Sequence, residues 1–125
     1  MNRPAGIILE KRGNIALIIL NSPETSNALD IKTGAELEQA LIDVSKDQAI
    51  RAAVLTGQGP NFSSGANVKA IMAELGENPD RTSGDTLGRL VRPFTGAATL
   101  LAEMDKPVIG AVKGAAAGEI GRAHV

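Results

Sequence analysis

Strand-like apolar stretches alternate with stretches of helical periodicity along this chain, and that alternation limits the possible folds more than any other feature. Two β-rich stretches, residues 6–10 and 15–20, are joined by residues 11–14 and predict a hairpin. Two further short apolar stretches, residues 52–56 and 108–112, predict buried strands. Because helical stretches lie between them, the order of elements predicts an α/β fold.

The helical stretches are defined by the spacing of their apolar residues. Residues 30–46 predict an amphipathic helix with Asp30 as its N-cap. Its apolar face consists of Leu37, Ala40, Leu41 and Val44. Residues 67–75 and 86–104 predict two more helices, and Pro93 is expected to kink or split the last one.

The supply of reactive side chains is small. The chain has no cysteine and a single histidine, His124, which is the residue before the last. Disulfides, thiolate catalysis and thiolate zinc sites are therefore excluded, and neither a Ser-His-Asp triad nor a metal site is expected. Carboxylates, lysines, hydroxyls and main-chain groups are left to carry any chemistry.

Charge and hydropathy limit the partners. Thirteen basic and fourteen acidic residues give a formal net charge of -1, and no basic cluster is present, so we expect no nucleic acid partner. The longest apolar run, residues 15–20, is far shorter than the roughly 20 residues of a membrane span. The N-terminus also lacks the apolar region of a signal peptide, so we expect a cytoplasmic protein that does not bind a membrane.

A run of small residues lies between a predicted strand and a predicted helix in the stretch NFSSGANVKAI, residues 61–71. A dinucleotide-binding loop does not fit, because Phe62 stands where the third glycine of G-x-G-x-x-G belongs and no G-K-[ST] follows. A serine-hydrolase elbow does not fit either, because Asn61 and Phe62, and not glycine, stand two residues before Ser63 and Ser64.

Two interpretations of this stretch remain. If Gly65 and Ala66 allow a ligand to approach, the N–H of Ala66 near the start of the next helix can point at an anionic oxygen. Such a donor stabilises an enolate or a tetrahedral species in acyl chemistry. Alternatively, the stretch is an ordinary helix cap without a ligand.

Three blocks of the sequence, NSPETSNALD, VLTGQGPNFSSGANVKAI and KPVIGAVKGAAAG, resemble in sequence and order the N-terminal half of the enoyl-CoA hydratase/isomerase family, also called the crotonase family. The resemblance implies a spiral of ββα units that is truncated after the second glycine-rich turn. It also implies an acyl-CoA substrate, no cofactor apart from the coenzyme A of that substrate, and a homotrimer or hexamer for the full-length protein. It does not select a reaction, because hydratases, isomerases, dehalogenases, thioesterases and decarboxylases share these blocks.

The resemblance also implies the site residues. Ala66 matches the position whose N–H is the first donor of the oxyanion hole. The residues that match the border of the CoA thioester are Ala28, Gly65, Ala66, Asn67, Val68 and Lys69. The family usually has Asp at the position of Asn67, and either residue can cap a helix. Without the resemblance, Ala28 reads equally well as a packing residue at a helix entrance, and Lys69 as a solvated lysine.

The match ends at the second glycine-rich turn, where the second oxyanion N–H counts onto Glu119. Residues 119–125, EIGRAHV, are encoded by GAG ATC GGA AGA GCA CAC GTC, which from its second base matches a widely used sequencing adapter. We therefore expect residues 1–118 to be the N-terminal part of a crotonase-like domain and residues 119–125 to be a non-native tail. A natural C-terminus is the alternative.

Two functional hypotheses follow from the sequence. In the first, the parent protein is an acyl-CoA hydratase or isomerase that polarises the thioester carbonyl with two main-chain N–H groups. In the second, this chain is a non-catalytic fragment that binds CoA at most weakly. No catalytic acid is assigned, because in the family the acid/base carboxylates follow the matched blocks and Arg122 counts onto one of them.

Overall fold

A computed structural model of the chain describes residues 6–65, 92, 96–114 and 116. Within these residues, a mixed sheet and one long helix form the framework. The elements in chain order are β1 (Ile7–Arg12), β2 (Ile15–Leu20), α1 (Ile31–Lys46), β3 (Ala52–Gly57) and β4 (Val108–Ala111). A single 3-10 turn, Pro23–Thr25, lies between β2 and α1, and residues 96–103 are helical. The predicted α/β class is confirmed.

The sheet has the strand order β1-β2-β3-β4. β1 and β2 are antiparallel, as the predicted hairpin requires, and β2, β3 and β4 run parallel to one another. Leu20 pairs with Gly57, and Thr56 pairs with Ala111, so the carboxyl ends of the three parallel strands meet at one edge. The segments that follow these strands therefore lie side by side, which is the usual place for a ligand site in an α/β sheet.

Helix α1 forms where the apolar spacing predicts it. Asp30 is its N-cap, and its carboxylate accepts a hydrogen bond of 2.8 Å from the N–H of Thr33. The predicted apolar face is buried, and it belongs to one core cluster with Ile18 and Leu55 of the sheet and with Phe62. Burying each large apolar side chain contributes about 2 kcal/mol relative to leaving it exposed, so this face fixes the helix on the sheet.

Two lysines meet the C-terminal end of α1. The ammonium group of Lys106 donates to the carbonyl of Val44 at 2.6 Å and to that of Asp47 at 2.5 Å. These carbonyls lie at the C-terminal end of α1, where the helix dipole is negative, and they also accept from the N–H groups of Asp47 and Ile50. Lys11 of β1 pairs with the Asp47 carboxylate, and this hydrogen bond, together with one from the N–H of Ala49, lowers the pKa of Asp47. Both lysines thereby tie the helix end to the sheet.

The prediction that residues 108–112 form a strand is confirmed, but the prediction that this strand is buried is wrong. The strand is present as β4, but Ile109 is 59% exposed and Val112 is 46% exposed. β4 is the last strand in the order of the described sheet, and alternate residues of a strand face opposite sides. Val108 packs against the core, whereas Ile109 points to the other side, so a continuous apolar run does not mean burial here.

Some predicted elements lie outside the described residues. These are the helix over residues 67–75 and most of the N-terminal part of the predicted helix over residues 86–104, including Pro93. Within the predicted helix over residues 86–104, the described residues 96–103 are helical as predicted, and Ala97 is buried in the core. Across the described ranges, none of the helices combines the length and apolar character of a bilayer span.

We predict that Lys106→Met lowers the free energy of unfolding by about 2 kcal/mol, because two charge-assisted hydrogen bonds to the end of α1 are lost. The methionine keeps most of the aliphatic stem, so the change reports on the ammonium group. Urea denaturation followed by circular dichroism measures the effect. Lys46→Met is the control, since Lys46 is exposed in the last turn of the same helix. A loss at Lys46 as large as that at Lys106 would show that general helix-dipole charge, and not the two hydrogen bonds, is responsible.

Candidate functional site

The candidate site is the turn Asn61 to Gly65, which follows β3 at the edge where the parallel strands end. We call residues 61–65 the glycine turn. Three of its main-chain N–H groups donate within the fold: Phe62 to the carbonyl of Lys113 at 2.8 Å, Ser64 to that of Ser26 at 2.9 Å, and Gly65 to the hydroxyl of Ser63 at 3.0 Å. These hydrogen bonds hold the backbone of the turn, and Phe62 anchors it in the core.

Asn27 is the side chain that connects the glycine turn to the segment before α1. It is 1% exposed, and its φ of +55° lies in the left-handed region that asparagine tolerates better than most residues. Its amide nitrogen donates to the carbonyls of Gln58 and Asn61, both at 2.9 Å. Its amide oxygen accepts from the N–H of Ser22 at 2.7 Å. One buried amide therefore holds the start of the turn and its own loop together.

Ser63 forms the second connection. It is fully buried, and its hydroxyl donates to the carbonyl of Asn27 at 2.8 Å while accepting from the N–H of Gly65. Gly65 has a φ of +91°, which a residue with a side chain rarely adopts. The carbonyl of Gly65 accepts in turn from the N–H of Leu29 at 2.8 Å. The hydroxyl of Ser63 is therefore engaged in holding the turn, which agrees with the rejection of a serine nucleophile.

The segment after β4 packs directly on the glycine turn. Besides the hydrogen bond from Phe62 to Lys113, Ser63 forms an isolated parallel bridge with Ala116. Gly114 has a φ of +62°, and a Cβ at this position would collide with the carbonyl of Pro60 and with the side chain of Asn61. The two glycine-rich turns that the sequence places after strands are thus in contact, with no room for a side chain between them.

Ala28 lines a cleft on the outer side of the same region. The cleft has a volume of about 490 Å³, and its charged lining residues are Glu24, Asp30, Lys32 and Glu36. Ala28 is half-buried there, and its small side chain leaves the cleft open. The carboxylate of Asp30 is already engaged as the N-cap of α1, so it is not free to bind a ligand with the same oxygen.

The structure places two of the six predicted substrate-binding residues. Gly65 and Ala28 lie on neighbouring segments, because Leu29, the residue after Ala28, donates to the carbonyl of Gly65. Gly65 is buried and is not among the residues that line the cleft of Ala28. The other predicted residues fall outside the described residues: Ala66, Asn67, Val68, Lys69 and Glu119.

Sequence reasoning did not assign a role to Asn27 or to the hydroxyl of Ser63. A signal for Asn27 was present, because an asparagine in a short loop before a helix N-cap is suited to left-handed backbone and to hydrogen bonds with neighbouring main-chain groups. No local signal identifies Ser63, since its partner Asn27 is 36 residues away in sequence.

The glycine turn lies at the carboxyl edge of parallel strands, which is where α/β proteins usually have their ligand sites. A sequence model of the enoyl-CoA hydratase/isomerase family matches residues 10–120. The chain belongs to the enoyl-CoA hydratase/isomerase family. The predicted resemblance, carried by the blocks around Asn27, Gly65 and Gly114, is confirmed.

Individual relatives agree with this assignment. The chain is 37% identical over 113 residues to a crotonyl-CoA hydratase of Syntrophomonas wolfei, which covers 90% of this chain and 40% of the relative. It is 38% identical over 111 residues to a carnitinyl-CoA dehydratase of Escherichia coli K12, which covers 88% of this chain and 39% of the relative. The chain spans about 40% of the length of these curated relatives.

The fold of the chain is also similar to that of solved structures of this family. A crystal structure of an enoyl-CoA hydratase/isomerase from Marinobacter aquaeolei superposes with a TM-score of 0.81 at 33% identity. The superposition covers 92% of this chain and 44% of that one. The expected crotonase-like fold is therefore confirmed for the portion of the fold that this chain covers.

We predict that Gly114→Ala destabilises the protein by about 3 kcal/mol, from left-handed strain and from collision with the glycine turn. Gly13→Ala is the matched control. Gly13 has a similar φ of +63°, but a Cβ there would meet nothing within 4 Å, so only the strain of about 1 kcal/mol is expected. Thermal unfolding of the two variants measures the difference. Equal losses at both positions would contradict a tight contact between the two turns.

Proposed function

We propose that this chain provides the thioester-binding turn of an acyl-CoA hydratase or isomerase that acts on an enoyl-CoA. The observation that carries the proposal is the hydrogen bonding of the glycine turn. The N–H groups of Phe62, Ser64 and Gly65 are committed to partners inside the fold, so these donors are not available to a ligand. The next N–H along the chain is that of Ala66, the donor that the family resemblance implies.

The chemistry asked of this N–H is electrostatic. When a proton leaves the carbon next to a thioester, or when water adds to the conjugated double bond, negative charge develops on the thioester oxygen. A main-chain donor placed in advance stabilises that oxygen without reorganising, and loss of one such donor costs about 100- to 1,000-fold in rate. The second donor is proposed at the position of Glu119, three residues after Ala116, which is the residue that forms a bridge with Ser63 of the glycine turn.

The nucleotide and pantetheine parts of the substrate need space rather than reactive groups. We assign the open cleft beside Ala28 to coenzyme A, together with residues 67–69. The cleft holds one described lysine, Lys32, as a cation for phosphate, whereas Glu24 and Glu36 add negative charge. The substrate would supply the only coenzyme, so no separate cofactor is required. The carboxylates that move protons are not assigned to residues of this chain.

The names of the relatives support a CoA thioester as the substrate and leave the reaction open. One is called a crotonyl-CoA hydratase and another a carnitinyl-CoA dehydratase. We propose a homotrimer or hexamer and a cytoplasmic location for the whole protein. A second candidate, a non-catalytic chain with weak CoA binding, is favoured by one observation, namely that the chain spans about 40% of the relatives' length.

Calorimetric titration with acetoacetyl-CoA and with free coenzyme A tests the proposed binding. Acetoacetyl-CoA readily loses a proton to give a delocalised enolate, and we expect it to bind about tenfold more tightly than coenzyme A because only the enolate oxygen uses the main-chain donor. Ala28→Phe, which fills the cleft, should weaken both ligands. Ala35→Phe is the matched control, since Ala35 is an exposed alanine of α1 outside the cleft lining. Equal affinity of the unmodified chain for the two ligands would contradict the oxyanion hole.

Turnover separates the two candidate functions. Hydration of crotonyl-CoA, followed through the loss of the conjugated thioester absorbance, is measured for this chain and for a version extended with the remaining family sequence from its source gene. Turnover by this chain alone would contradict the non-catalytic candidate. If only the extended version is active, this chain is non-catalytic by itself and the added part is required for turnover.

A further inference from the structure

We infer that Ser63, anchored by Asn27, is a positioning residue that sets the direction of the oxyanion donor. This inference rests on the proposed function, because it concerns the geometry of the proposed donor at residue 66. The role proposed for Ser63 involves no contact with the reacting atoms. It acts through Gly65, the residue whose peptide group leads into the donor.

The hydroxyl of Ser63 is used in both directions. Its proton is given to the carbonyl of Asn27, which leaves a lone pair of the same oxygen for the N–H of Gly65. A fully buried hydroxyl with two partners at 2.8 and 3.0 Å has little freedom to rotate. The orientation of the peptide that ends at the nitrogen of Gly65 is therefore set by the position of Asn27.

The next peptide group is fixed from its carbonyl side. The carbonyl of Gly65 accepts from the N–H of Leu29, and the N–H in that same peptide group belongs to residue 66. A peptide group is planar and normally trans, so its C=O and N–H bonds point in opposite directions. A hydrogen bond that fixes the direction of the C=O bond therefore also fixes the direction of the N–H bond. Ser63 and Leu29 together hold both sides of Gly65, so rotation about φ and ψ at this glycine is restrained despite the lack of a side chain.

Asn27 extends this control to the neighbouring turn. Its amide nitrogen holds the carbonyls of Gln58 and Asn61, and a Cβ on Gly114 would collide with Asn61. The hydrogen bond from Phe62 to Lys113 adds a direct main-chain connection. The buried pair of Asn27 and Ser63 is thus connected to both glycine-rich turns.

Ser63→Ala tests the inference, with Ser64→Ala as the matched control. Ser64 is the adjacent serine, but it is exposed, and its hydroxyl lies 3.3 Å from the carbonyl of Thr25. Two quantities are measured for each variant: the ratio of affinities for acetoacetyl-CoA and coenzyme A, and the hydrogen exchange rate of the Gly65 amide by NMR. Loss of the Ser63 hydroxyl is expected to reduce the affinity ratio about tenfold and to raise the exchange rate at least about tenfold.

The affinity for coenzyme A separates positioning from general damage. A positioning role predicts that Ser63→Ala binds coenzyme A within about twofold of the unmodified chain, since the donor contributes only to the enolate. Ser64→Ala should leave the affinity ratio and the Gly65 exchange rate unchanged. Equal weakening of both ligands in Ser63→Ala would overturn the inference and indicate a structural role only.

Other outcomes are also decisive. An unchanged affinity ratio in Ser63→Ala, measured beside an unmodified chain that prefers acetoacetyl-CoA, overturns the inference alone. An unmodified chain without that preference overturns the proposed function, and the inference with it. If Ser63→Ala does not fold, Ser63→Cys provides the same test, because a thiol fills the site but is a weak donor and acceptor. It should lower the ratio in the same direction, and an unchanged ratio would overturn the inference.

Discussion

The buried side-chain amide of Asn27 is the interaction on which the arrangement of the carboxyl edge depends. An amide removed from water must have partners, or its desolvation costs about 1 to 3 kcal/mol. Asn27 finds three main-chain partners, and two of them belong to the segment that follows β3. The loop before α1 and the glycine turn after β3 are therefore held as one unit, and the left-handed backbone at Asn27 is maintained by this unit.

The opposite end of α1 is held by the ammonium groups of two lysines. Lys106 reaches the last carbonyls of the helix from the segment just before β4, and Lys11 reaches Asp47 from β1. The helix is thus attached to the sheet at both ends as well as along its apolar face. A rigid framework of this kind suits a site whose chemistry is carried by main-chain groups, because such groups move only when the backbone moves.

The helix and strands could be predicted from the sequence where the pattern that identifies them lies within a single element. The spacing of Leu37, Leu41 and Val44 and the cap at Asp30 are read within one helix, and they predicted α1 correctly. Burial of β4 was predicted wrongly, because an apolar run does not reveal which side of a sheet is covered. The left-handed backbone at Asn27 had a local signal in the sequence. The hydrogen bonds from Asn27 to Gln58 and Asn61, and the one from Ser63 to Asn27, could not be predicted, since they join residues 31 to 36 positions apart.

The contact between the two glycine-rich turns has a consequence for how the protein is made. Phe62 and Lys113 are joined by a hydrogen bond, although about fifty residues of chain separate them. Such a non-local pairing forms late, because the entropy of closing a long loop opposes it until other contacts reward the closure. On the ribosome, the hairpin and α1 can begin to associate early. The glycine turn must wait for its neighbour to emerge from the exit tunnel before it acquires its final shape.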